Sequence, residues 1–207
     1  MRGRSVVPLA FTAALLASAV ARAEAPSASE RAFLLRLADA ALQRTRPPTP
    51  QVIYDPAYVQ LAYPGGDVPA DRGVCADVVM RSYRALGIDL QRLVHEDMAA
   101  HFALYPKLWN LAHPDPNIDH RRVPNLRVFL ARHGVSLAPS RDPADFLPGD
   151  LVTLLVPPAL PHIAIVSERK RADGVPLVVH NIGAGEVLED ALFSYEMTGH
   201  YRYYGSP

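Results

Sequence analysis

Cys75 is the only cysteine in the chain, and it opens an amphipathic stretch. From Cys75 to Leu86 the apolar residues Val78, Val79, Tyr83 and Leu86 recur at helical spacing, and Gly87 is placed to end the helix. A cysteine in the first turn of a helix faces N–H groups without helical partners and the positive end of the dipole. That position favours thiolate, the nucleophilic form, and offers an N–H to an oxyanion. Two later apolar segments each carry a histidine: Pro161-His162-Ile163-Ala164-Ile165-Val166 and Val178-Val179-His180-Asn181. An imidazole beside a thiol completes an ion pair or acts as general acid and base, so the three elements together support covalent thiol chemistry.

The two histidines can be related by pairing. Ala172-Asp173-Gly174 between them is a hairpin signal. If it makes the turn, a register with Glu168 opposite Gly174 also sets His162 opposite His180. Direct cross-strand partners share a face, about 4.5–5.5 Å apart at Cβ. His180 would then orient His162 as base. A register one residue different sets Asn181 opposite His162, and an amide can also hold an imidazole.

The elements that would position these residues follow from period and punctuation. Ser29 to Arg44 predicts a helix with Phe33, Leu34, Leu37, Ala41 and Leu42 on one face and Ser29 as cap, ended by Arg46-Pro47-Pro48-Thr49-Pro50. A third helix spans Gln91 to Leu104. Residues 105–124, rich in Pro, Asp, Asn and His, form a long loop, and a fourth helix runs from Pro124 to His133 before Gly134. Then the period changes: Leu151–Val156, Ile163–Ser167, Pro176–His180 and a closing segment at His200–Tyr204 predict strands. Helices first and antiparallel strands afterwards give an α+β domain.

Residues 1–23 have the form of a secretory signal: Arg2 and Arg4, an apolar run from Val6 to Val20, and the small-x-small site Ala21-Arg22-Ala23. The run is short for a membrane span, which needs about 20 residues. The expected organisation is a signal at 1–23, an N-terminal helix and Pro-rich connector at 24–50, and a domain at 51–207, exported to the periplasm or secreted and without an integral membrane domain. Cleavage after Ala23 removes three of the 21 Lys and Arg and none of the 21 Asp and Glu, leaving a net charge of −3. That balance lacks the basic footprint of a nucleic-acid binder. One cysteine cannot form an internal disulfide, so a lone thiol in an oxidising compartment is either catalytic or a small buried hydrophobe. No cofactor or metal is expected: His95-Glu96 is not followed by a histidine at metalloprotease spacing, and Cys75 has no second thiol.

The chain resembles the NlpC/p60 superfamily of papain-like cysteine peptidases of the bacterial cell wall. The matching pieces are Tyr63-Pro64-Gly65-Gly66, Val74-Cys75-Ala76-Asp77-Val78-Val79, Leu147-Pro148-Gly149-Asp150-Leu151-Val152, His162-Ile163-Ala164-Ile165-Val166 and Val178-Val179-His180. Where the superfamily usually has Asp-Cys-Ser, this chain has Val74-Cys75-Ala76. The resemblance implies a catalytic helix packed on an antiparallel sheet, with a helical and loop insert between the Cys helix and the strands. It also implies Cys75 as nucleophile, His162 as base, a polar residue on the next strand as orienter and Tyr63 lining the site. The insert, with Asn117-Ile118-Asp119-His120-Arg121-Arg122-Val123-Pro124, and the ending Gly199-His200-Tyr201-Arg202-Tyr203 are similar to a bacterial YijF-like family.

The superfamily cleaves amide bonds in peptidoglycan stem peptides, which carry free carboxylates. On that resemblance the partner is peptidoglycan or its fragments. Arg121 or Arg122 would bind a carboxylate, with Asp119 holding the guanidinium and His120 beside it. The competing reading of these four residues is a loop–helix junction held by an Asp119–Arg salt bridge. Rival functions on the same fold are a non-catalytic cell-wall binding protein, with Cys75 unreactive, and an acyltransferase using the same Cys–His pair.

Overall fold

The computed structural model describes residues 25–205 apart from Pro48 and Pro50. The expected signal at 1–23 lies outside the described residues. Four α-helices precede most of the strands: α1 (Ala28–Gln43), α2 (Cys75–Arg84), α3 (Leu90–Ala100) and α4 (Val123–His133). The strands are β1 (Ile53–Tyr54), β2 (Arg72–Gly73), β3 (Val135–Leu137), β4 (Leu151–Val156), β5 (Leu160–Lys170), β6 (Pro176–His180), β7 (Val187–Glu189) and β8 (Glu196–Arg202). This is the expected α+β arrangement, with the cysteine-bearing helix on an antiparallel sheet.

Helix α1 starts at Ser27 rather than Ser29. The Ser27 hydroxyl accepts the Glu30 N–H and the Glu30 carboxylate accepts the Ser27 N–H, a reciprocal cap. Helix α2 has no capping side chain of its own at Val74. Asp77 supplies the cap, its carboxylate accepting the Val74 N–H at 2.7 Å.

The main sheet has six strands in the order β3-β8-β4-β5-β6-β7, all antiparallel. β1 and β2 form a separate parallel pair, Ile53 with Arg72 and Tyr54 with Gly73, immediately before α2. Strands β3 and β7 have three residues each and β1 and β2 two, too short for a period to mark them.

Alternation along the strands serves two cores. On one face Leu151, Ile163, Ile165, Val179 and Tyr201 meet the helices through Val78, Val79, Tyr83, Leu126 and Phe129. On the other, Val152, Ala164, Val166 and Val178 meet Phe146, Ala191 and Leu192. Helix α1 adds Phe33, Leu34, Leu37 and Ala41 to the first core, so the expected boundary at residue 50 does not separate α1 from the domain.

The β5–β6 hairpin turns at Gly174, with φ +88°, as the sequence predicts. Its register differs. Ile165 pairs with Val179 and Val166 with Val178, while Lys170 pairs with Pro176, with an irregularity between. His162 is therefore opposite neither His180 nor Asn181. Continued to that end, the register places His180 opposite Ala164, two residues along. A two-residue slip keeps both histidines on one face, so they meet diagonally.

The entry to β4 depends on close approach. Gly149 has φ +86°, and a Cβ there would fall on the Leu34 backbone of α1. Gly149→Ala combines the left-handed backbone penalty with overpacking, each of order 1–3 kcal/mol. Its urea-unfolding free energy should fall by at least about 2 kcal/mol. A wild-type midpoint would show that α1 can move away.

Candidate active site

Asn181 leaves β6, and the N-terminus of α2 lies against the end of that strand. The Asn181 amide donates to the Gly73 carbonyl at 3.2 Å, and its oxygen accepts the Gly183 N–H. Asn181 thus fixes the backbone two residues before Cys75 and does not touch His162. The Cys75 sulfur lies beside the Ile163 N–H, the backbone of the residue after His162. The sulfur thus meets β5 at the backbone next to His162, and no hydrogen bond joins it to the His162 ring.

The thiol is buried. Burial pushes it up to about 11, helped by the Asp77 carboxylate two residues on, and the N–H groups of Ile163, Ala76 and Cys75 oppose the shift only in part. This corrects the expectation of a thiolate made by the helix terminus. His162 is also driven neutral: burial, then the neighbouring His180, lower it to about 3. Both groups therefore rest uncharged, as thiol and imidazole.

His162 belongs to a hydrogen-bonded chain. Its Nε2 lies 2.9 Å from His180 Nδ1, and His180 Nε2 lies 2.8 Å from Glu189 Oε2 on β7. An ionised carboxylate only accepts, so His180 donates from Nε2 and accepts at Nδ1. His162 must then donate from Nε2, which leaves Nδ1 as its basic nitrogen. His180 is therefore the residue that orients His162. Glu189 has no counterpart among the residues expected from sequence. Its signal was the short stretch Val187-Leu188 after Gly185, which no period marks.

The residues of the insert divide differently from expectation. Arg121 is buried and fully engaged. Its Nε and Nη2 donate to Asp77 at 3.0 Å each, and Nη1 and Nη2 donate to the carbonyls of Ala57 and Asp55. Asp77, not Asp119, holds this guanidinium. Asp119 instead accepts the Asp115 N–H and faces His95 Nδ1 at 3.6 Å, and burial raises its carboxyl above the usual range. His120 is buried and held neutral, lowered to about 3 by burial and by the adjacent Arg121. It does not line the Cys75 cleft.

That cleft, of about 380 Å³, is lined by Tyr54, Tyr58, Cys75, Trp109 and Arg122 among others. Tyr63 lies elsewhere, 42% exposed with its ring against His95. Tyr54 takes the expected place of Tyr63: burial and the nearby Cys75 raise its hydroxyl.

Two outcomes follow. Arg121→Ala and Asp77→Ala should each lower unfolding free energy by about 3–5 kcal/mol, because each strands a buried charge. Arg122→Ala should cost about 1 kcal/mol, the scale of its contact with Trp109. Equal losses for the two arginines in urea titrations would refute this division. Cys75 should alkylate with iodoacetamide more slowly at pH 7 than a free thiol of pKa about 8.5. Its rate should keep rising to about pH 10, since a raised thiol pKa moves the thiolate to higher pH. A plateau near pH 6 would show an ion pair instead.

Residues 39–203 match the family described as Domain of unknown function (DUF1287). "Uncharacterized protein YijF" of Escherichia coli (strain K12) is 56% identical over 153 residues, 74% of this chain and 75% of that protein. Among solved structures, NlpC1 from Trichomonas vaginalis matches 84% of the chain at 16% identity and a TM-score of 0.44. NlpC2 from the same organism also matches 84%, at 15% identity and 0.45. The chain spans less than half the length of either, 45% and 47%. The match over most of the domain, together with the close relative, shows that the chain belongs to the DUF1287 family.

Proposed function

We propose that this protein is a thiol hydrolase of amide bonds, with Cys75 as nucleophile, His162 as general base and acid, and His180 and Glu189 as positioning residues. The observation that carries the reading is the buried His162–His180–Glu189 chain, which leaves Nδ1 as the basic nitrogen of His162 on the strand whose next backbone N–H, of Ile163, lies beside the Cys75 sulfur.

In this mechanism the substrate carbonyl enters the cleft and the imidazole takes the thiol proton as the sulfur attacks. Concerted transfer suits a neutral pair, and catalytic contacts often tighten only with substrate bound. The Cys75 and Ala76 N–H groups stabilise the oxyanion. The C–N bond breaks as the imidazolium returns its proton to the leaving amine. Water, deprotonated by His162, then cleaves the thioester, releases the acid and restores the thiol. The balance is amide plus water to acid plus amine.

The resemblance to NlpC/p60 enzymes directs the substrate reading to peptidoglycan stem peptides. The leader-like residues 1–23 direct the place to the periplasm or the exterior, with a mature start at Glu24 that N-terminal sequencing of the exported protein tests.

The deciding experiment digests purified peptidoglycan and identifies the released fragments by mass spectrometry. Cys75→Ala should release none. His162→Ala should slow release by about 10²–10⁴-fold, the usual share of general acid–base catalysis. His180→Ala should follow it closely and Glu189→Gln should lose less. Asn181→Ala should act through stability, by about 1 kcal/mol for its lost hydrogen bond. Release by Cys75→Ala would overturn the reading. Transfer of the acyl group to an added amine in place of water would identify an acyltransferase.

A further inference from the structure

Arg122 differs from its neighbour Arg121 in every respect that matters for ligand binding. Its side chain has no hydrogen bond or ion pair among the described residues, and its Nη1 is buried without a partner. Burial lowers its pKa, although Asp119 and Asp115 act on it from a distance. Neither reaches ion-pair range. Asp115 is engaged with Tyr58 and Asn117, and Asp119 accepts the Asp115 N–H.

The guanidinium is stacked on Trp109, 4.1 Å from the ring centroid. Trp109 and Asn110 both hold left-handed backbone, at φ 61° and 50°, though neither is glycine. Such conformations persist where the surroundings demand them and cluster at ligand sites. The tryptophan is 48% exposed and lines the same cleft as Cys75 and Arg122. The rest of the lining, including Tyr54, Pro56, Ile118, Val123 and Pro161, is largely apolar or aromatic. The cleft thus presents one uncommitted cation with a buried, unsatisfied donor. A carboxylate fits that donor geometry and removes the cost of leaving it unpaired.

We propose that Arg122, stacked on Trp109, is the binding site for a carboxylate of the ligand, so that the Cys75 cleft selects peptides with a free carboxylate near the reacting amide. The role as a substrate site rests on the thiol-hydrolase reading, whereas carboxylate binding itself requires no turnover.

Trp109 is the only tryptophan in the chain, so its emission reports on this position. The experiment uses the full chain with Cys75→Ala, titrated with the tripeptide L-Ala–γ-D-Glu–meso-diaminopimelate and with the same peptide fully amidated. The acid peptide should shift the emission saturably, at a concentration about 10- to 100-fold lower than the amide requires, the range for a charge-assisted hydrogen bond. In Cys75→Ala/Arg122→Gln the ratio should fall to near one, and Arg122→Lys should restore part of it. Equal binding of the two peptides to the Cys75→Ala protein would overturn the proposal, as would a ratio that survives Arg122→Gln. Should Arg122→Gln fail to fold, the comparison of the two peptides on Cys75→Ala decides alone. Acid-selective binding with no digestion by the wild type sinks the hydrolase reading and leaves the carboxylate site standing. Digestion without acid preference does the reverse.

Discussion

The buried ion pair between Asp77 and Arg121 joins parts of the molecule that share no strand or helix. Asp77 caps α2 through the Val74 N–H, so its carboxylate fixes the backbone that presents Cys75. Arg121 comes from the insert and also ties down the carbonyls of Asp55 and Ala57. One guanidinium therefore sets the nucleophile's helix, the segment that carries Tyr54 and the insert that carries Arg122. Both side chains are almost fully removed from water, so neither charge tolerates loss of the other. The cleft is assembled by electrostatics at its base and lined with apolar and aromatic groups above.

Most of the architecture was legible because its signals are local. The apolar face of α2, the turn at Gly174 and the β-branched runs of β4 and β6 mark themselves. Registers and partners are not local. The hairpin closes nearer Gly174 than expected, with Arg171 bonded to Val175 and Lys170 opposite Pro176, and the irregularity between Val166 and Lys170 then leaves a net slip of two residues that nothing in the composition of that stretch marks. Arg121 and Arg122 are adjacent and chemically identical, both line the cleft, and only the fold commits one to Asp77 and leaves the other's side chain without a hydrogen-bond partner. Tyr63 and Tyr54 were likewise interchangeable until β1 paired with β2 and set Tyr54 beside the sulfur.

Helix position alone misjudged the thiol. A first-turn cysteine faces unpaired N–H groups, and two of them, on Cys75 and Ala76, act on the sulfur together with the Ile163 N–H of β5. They lose to desolvation because the sulfur is sealed against β5 and because Asp77 adds a negative charge nearby. The cap that holds the helix thus also disfavours its thiolate. Covering such a site keeps a lone thiol protonated, and a protonated thiol resists oxidation until a ligand or proton acceptor engages it.

The polar chain behind His162 has a further consequence. Alternation places His162 and His180 with Ala164 and Val178, on the sheet face away from the helices. The chain ends at Glu189, whose side chain is 54% exposed. The buried imidazole is therefore linked by hydrogen bonds to a solvent-exposed carboxylate, apart from the cleft where Trp109 and Arg122 sit. A proton gained at Nδ1 can be matched by one passed from Nε2 through His180 to Glu189. Under the proposed hydrolase reading, the site recovers its charge state while its front entrance is still blocked by a bound ligand.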